Sequence, residues 1–102
     1  MVTLTFYPND RKKSKKTGRT PIYVRIRNEG KKSEGTVEWS LTDQERKKWN
    51  EMLGRVSIKN AKVNDYLNRI EDKFKELRVF KTQELDNYSP SHIRNHILGI
   101  WL

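Results

Sequence analysis

Tyr23, Arg25 and Arg27 recur at every second position, with Ile22, Val24 and Ile26 before each of them. A period of two sends the first set to one face of a strand and the second to the other. A guanidinium is a planar fork that bonds a phosphate, or the O6 and N7 acceptors of guanine, through two parallel hydrogen bonds. Thr3, Thr5, Lys32 and Thr36 fall on the polar face of their own strands by the same alternation. A further cationic set, Arg11, Lys12, Lys13, Lys15, Lys16 and Arg19, lies in a segment (11–20) without an apolar residue. Read blandly, that run is a solvated loop. Read functionally, it meets a phosphate backbone, and the two readings are compatible.

The charge is uneven. The 102 residues hold 22 Lys+Arg and 13 Asp+Glu, for a net +9. Residues 1–35 carry ten basic side chains, Lys31 among them, against three acidic ones, whereas the remainder carries twelve against ten. A local surplus of this kind makes a positive field over part of the surface. It points to a polyphosphate, an anionic lipid or an acidic protein as partner, against the plain alternative of solubility.

Other chemistry is thinly represented. There is no cysteine, so disulfides, thiolate zinc sites and cysteine nucleophiles are excluded. His92 and His96 share a helix face at i, i+4 but lack the intervening glutamate of the HExxH pattern, and they read as surface histidines. The five glycines are scattered and form no phosphate loop. No cofactor, metal or small-molecule substrate is expected. No run approaches the roughly 18 apolar residues of a membrane span, and the first residues lack a secretory signal pattern. An intracellular location is expected.

The elements that position these groups follow from pattern. Hydrophobic residues make up 33% of the chain and charged residues 34%, so the core is small, with a single sheet under helical cover. Val2, Leu4 and Phe6 alternate with Thr3, Thr5 and Tyr7 in a first strand that Pro8-Asn9-Asp10 ends. Pro21 opens a second strand. Asn28-Glu29-Gly30 turns the chain into a third, from about Lys32 to Trp39, with Val37 and Trp39 on the apolar face, Glu34 and Glu38 opposite, and Gly35 a candidate bulge. Thr42 and Glu45 form a capping box for a helix over Asp43–Met52, with Trp49, Met52 and Leu53 inward and Gly54 as its C-cap. Val63, Tyr66, Leu67, Ile70, Phe74 and Leu77 make the stripe of a long amphipathic helix. Asn87-Tyr88 breaks it, and Ser89-Pro90 starts another helix with Ile93, Ile97 and Leu98 on its apolar side. The expected class is α+β: a three-stranded antiparallel sheet packed on one face by the long helix, with short additional helices. The opposite face is expected to stay open, although Glu34 or Glu38 could neutralise Arg25 across strands.

The segment Pro21-Ile22-Tyr23-Val24-Arg25-Ile26, the turn from Asn28 to Lys32, Trp49-Asn50, Gly54-Arg55-Val56, and Asn64, Leu67 and Ile70 together are similar to an N-terminal arm-DNA-binding domain. This is the domain carried by tyrosine recombinases of phages and conjugative transposons, in the form common in Bacteroides-type bacteria. The resemblance covers about residues 2–80, and it departs at Glu38-Trp39-Ser40-Leu41, where a Ser-Thr-Gly-rich strand end is expected. It implies a small domain that grips arm-type sites on double-stranded DNA while later domains bind and cut core sites. Its sheet would dock in the major groove with Tyr23, Arg25 and Arg27 on the docking face. The catalytic residues would belong to a downstream domain, so this stretch would bind without cleaving. Residues 1–86 are then the arm-type domain, and 87–102 a linker and the start of a truncated core-binding domain. Other integrase protomers are possible partners of the full-length protein.

Two other readings compete. One is a protein-interaction module of a mobile-element protein that works through the apolar end, Ile100, Trp101 and Leu102. The other is single-stranded or RNA binding with Tyr23 as a stacking platform, which is weakened by the single good aromatic on the polar face.

Overall fold

The alternating segments pair because each strand can bury one face only against a neighbour in matching register. In the computed structural model, which describes residues 2–80 and 89–98, β1 (Val2–Pro8), β2 (Thr20–Asn28) and β3 (Lys31–Leu41) form an antiparallel sheet in the order β1-β2-β3. The class is α+β, as expected. The α1 helix (Asp43–Lys47) is followed by the two-residue strands β4 (Trp49–Asn50) and β5 (Arg55–Val56), then by α2 (Lys62–Phe80) and α3 (Pro90–Leu98). Val2, Phe6, Ile22, Val24, Ile26, Val37 and Leu41 of the sheet share one core with Trp49, Val56, Val63, Leu67, Ile70, Phe74, Ile93 and Ile97.

Helical cover of the sheet differs from the expected single long helix. The α3 helix lies against β2 and β3, and α2 packs on β5 and α3. Both supply core residues, with Ile93 and Ile97 of α3 fully buried. At the margin, the Tyr66 ring of α2 sits 5.9 Å from Trp39, and its hydroxyl accepts a 2.9 Å bond from the Glu38 N–H.

Gly35 pairs regularly with Val24, so the expected bulge is not there; the register instead shifts between Pro21 and Tyr23. Pro21 has no N–H to give to a ladder, which suits it to such a break. Gly35 is small for a different reason. A Cβ on it would stand 2.8 Å from Cδ of Arg94, whose Nη1 donates to Ser33 Oγ (2.8 Å) and the Glu34 carbonyl (2.7 Å).

The capping box forms: Thr42 Oγ1 accepts from the Glu45 N–H, and Glu45 Oε1 from the Thr42 N–H. The helix expected to run to Met52 stops at Lys47. Trp49 and Asn50 turn back onto Val56 and Arg55 as a hairpin. Asn64 staples that hairpin, its amide giving a bond to the Val56 carbonyl (2.8 Å) and taking one from the Val56 N–H (2.9 Å). Trp49 is buried as expected. Met52 and Leu53, expected inward, lie on the hairpin turn and are 97% and 69% exposed. Gly54 has φ +63° in this turn, not at a helix end. The expected break at Asn87-Tyr88, the apolar end 99–102, and the side chains of Leu77 and His92 lie outside the described residues.

The β2–β3 turn has Glu29 at φ 50° and Gly30 at φ 81° between the paired Asn28 and Lys31. Two positive φ values make a mirror-type hairpin turn, in which asparagine is favoured at the first position. Glu29→Asn should therefore stabilise the fold by up to about 1 kcal/mol, read as a higher thermal midpoint; a lowered midpoint would contradict the turn geometry.

Candidate nucleic-acid interface

Register builds the open face in three rows across the sheet. Thr3, Arg27 and Lys32 form the first; Thr5, Arg25 and Glu34 the second; Tyr7, Tyr23 and Thr36 the third. The helix-covered face holds the alternate residues. Thr3, Thr5, Arg27, Lys32 and Thr36 are exposed, while Tyr7, Tyr23, Arg25 and Glu34 are half-buried. Lys31 pairs with Asn28 and has the parity of the helix-covered face, although it is exposed at the start of its strand.

The half-burial of the central groups comes from one another. Glu34 Oε1 accepts from Arg25 Nε at 2.9 Å, and Oε2 from the Tyr7 hydroxyl at 2.6 Å. Lys32 Nζ is 3.7 Å away. The Arg25 guanidinium carbon lies 4.8 Å from the centre of the Tyr7 ring, which tilts against Tyr23 at 5.8 Å. The Tyr7 hydroxyl bond, then the Arg25 bond and the nearby positive charges, hold the Glu34 carboxyl below its ordinary range despite some desolvation. Partial burial, then the Glu34 carboxylate, pushes the Tyr7 phenol up. The cross-strand neutralisation of Arg25 considered from sequence thus takes place, through Glu34. Glu34 and Tyr7 were not among the sequence-derived site residues. Tyr7 continues the alternation of Thr3 and Thr5, which was the available signal.

The basic segment between β1 and β2 is folded back on itself. The Asn9 N–H donates to the Pro21 carbonyl, Ser14 to Arg19, and Gly18 to Ser14, each at 2.9 Å. A 3-10 turn spans Asp10–Lys12. Two ion pairs fasten this segment to α1: Arg46 bonds Asp10 through both Nε (2.9 Å) and Nη2 (3.0 Å), and Lys13 Nζ reaches Asp43 at 3.0 Å. The Arg46 bond holds the Asp10 carboxyl below its usual range. Lys12, Lys15, Lys16 and Arg19 are exposed, as is Arg11, and none of them has an ion-pair partner among the described residues. The segment springs from the end of the sheet that carries Tyr7 and Tyr23, since Pro8 pairs with Ile22.

Arg55 is a structural cation. It donates to Asn68, the Gly54 carbonyl and Glu71, and stands 5.2 Å over the Phe6 ring. Among the described residues no cluster of three His, Cys, Asp or Glu could hold a metal ion, and no helix is long and apolar enough to cross a membrane.

This arrangement can present cations and hydroxyls over a patch three strands wide, with a basic lobe at one end. A family model described as an arm DNA-binding domain matches residues 9–94. No curated protein and no solved structure is matched.

Proposed function

The chain belongs to the arm DNA-binding domain family, and from that premise we propose that it binds double-stranded DNA at arm-type sites through the open sheet face, set into the major groove. A β-sheet of this width is narrow enough to enter that groove. The observation that carries the reading is the division of the sheet: helices fill one face, and the other turns Thr3, Thr5, Tyr23, Arg25, Arg27, Lys32 and Thr36 outward. Arg25 and Arg27 reach base edges. Lys12, Lys15, Lys16 and Arg19 meet phosphates beside the groove, with Lys31 at the opposite end. Lys13 contributes less, because its ammonium already holds Asp43.

The domain works as the non-catalytic grip of a tyrosine recombinase of a bacterial mobile element or phage, and other protomers of that integrase join it on DNA. The setting is the bacterial cytoplasm, at the nucleoid. The core that α3 shares with the sheet supports counting α3 with this domain, although it follows the boundary expected near residue 86.

Amide chemical shifts followed during titration with duplex DNA carrying the ends of the element test the reading. Shifts should cluster at residues 3–5, 12–27 and 31–36 and spare α2. Arg27→Ala should weaken the complex by roughly 1–3 kcal/mol. Absence of binding to any duplex at low salt would end the proposal.

A further inference from the structure

Glu34 is an acid at the centre of the face that carries the cations. A carboxylate there opposes a phosphate, so its placement needs a reason. The geometry of its contacts supplies one. Arg25 meets Glu34 through Nε, and the Tyr7 hydroxyl is its second, lesser partner. Arg46 grips Asp10 differently, using Nε and Nη2 together. The Arg25 guanidinium is also laid over the Tyr7 ring, and the Tyr7 hydroxyl fixes the other carboxylate oxygen. The carboxylate thus takes Arg25 at Nε and the ring takes one face, so the terminal nitrogens are not clamped by Glu34 in the way that Asp10 clamps Nη2 of Arg46. A pair of coplanar N–H donors matches the adjacent O6 and N7 of guanine. The flanking negative charge repels the competing ligand, a phosphate oxygen.

Resting on the major-groove reading above, we propose that Glu34, with Tyr7, is a specificity-determining positioning residue that orients Arg25 to read one guanine and keeps it off the phosphate backbone. The Arg25–Glu34 pair is half-buried on the helix-free face of the sheet, and Glu34→Gln keeps the size of the side chain and an acceptor oxygen for Tyr7, so the change removes the charge without emptying the site and alters what Arg25 can contact. Freed from Glu34, Arg25 becomes a mobile cation that binds any phosphate. Sequence preference then falls while general affinity rises.

The test selects duplexes from a randomised pool with the unaltered chain, then compares variants on the selected duplex, on the same duplex with each base pair exchanged, and on mixed-sequence DNA. For the unaltered chain one guanine should stand out, its replacement by adenine weakening binding at least about fivefold. Arg25→Ala should lose that preference. Glu34→Gln, folded by its amide spectrum, should lose it too, yet bind mixed-sequence DNA more tightly with a salt slope steeper by about 1. The double variant should be no less selective than Arg25→Ala alone. A Glu34→Gln protein that keeps the guanine preference overturns the inference, as does an unaltered chain that binds duplexes without choosing among them; both leave the duplex-binding reading standing. Failure of the unaltered chain to bind any duplex removes both.

Discussion

Raising the salt concentration from about 50 to about 200 mM should weaken duplex binding by about 10²–10⁴-fold. The size of the effect follows from how many cations can neutralise phosphates. Arg11, Lys12, Lys15, Lys16 and Arg19 in the folded basic segment, with Arg27 and Lys31 on the strands, have no carboxylate partner among the described residues. If roughly 4–8 phosphates are engaged, each contributes about 0.9 to the slope of log affinity against log salt. Lys13, Arg25 and Arg46 start from ion pairs and add less. Fluorescence anisotropy over a salt series measures the slope. Replacing Lys15 and Lys16 together by alanine should flatten it by about 2 and weaken all sequences alike. A slope near zero would mean that the basic segment does not meet a nucleic-acid backbone.

Ile93→Ala should cost about 2–5 kcal/mol of folding stability. Its side chain is fully buried, on a helix that lies against β2 and β3 and is backed by α2. Truncation leaves a cavity between layers that strands and helices on three sides keep from closing. A domain of this size has about 5–15 kcal/mol in total, so a large share would be lost. Urea unfolding followed by tryptophan fluorescence reads the change directly. A loss under about 0.5 kcal/mol, as at ordinary surface positions, would show that α3 does not stabilise the sheet domain. The α3 helix would then belong functionally with whatever follows it.

The faces of the sheet were legible because their signal is local. Val2, Phe6, Ile22, Val24 and Ile26 alternate with polar residues, and a period of two assigns sides without any knowledge of the partner strand. The Thr42–Glu45 cap and the Val63–Phe74 stripe are equally local. The β4–β5 hairpin was not legible. Helical spacing placed Trp49, Met52 and Leu53 on one side, yet only Trp49 is buried. The chain reverses at residues 51–54, where Asn50 accepts from the Leu53 and Gly54 N–H groups and Gly54 takes a positive φ, and Asn64 at the start of α2 completes the hydrogen bonding of Val56. Helix patterning also says which side of α2 and α3 is apolar but not what that side meets, so cover of the sheet by α3 was missed. In the candidate interface, Thr3, Thr5, Arg25, Arg27, Lys32 and Thr36 fell on the expected face. The Glu34 contacts with Tyr7 and Arg25 depend on register across three strands, which one strand's pattern cannot state.

One residue of β3 is held from two directions. The carbonyl of Glu34 takes a bond from Arg94 beneath the sheet, and its carboxylate takes one from Arg25 above it. Each grip fixes the same count of residues along the strand, and a slip by one would reverse the sides and break both. Insertions and deletions are therefore barred from Ser33–Gly35, where packing and recognition share a single numbering. The tip around Lys15-Lys16-Thr17 carries no such double constraint, and surface connections of this kind accept added length at little thermodynamic cost. Divergence in chain length among proteins built on this plan should collect at that tip, altering the reach of the basic lobe while the reading surface keeps its frame.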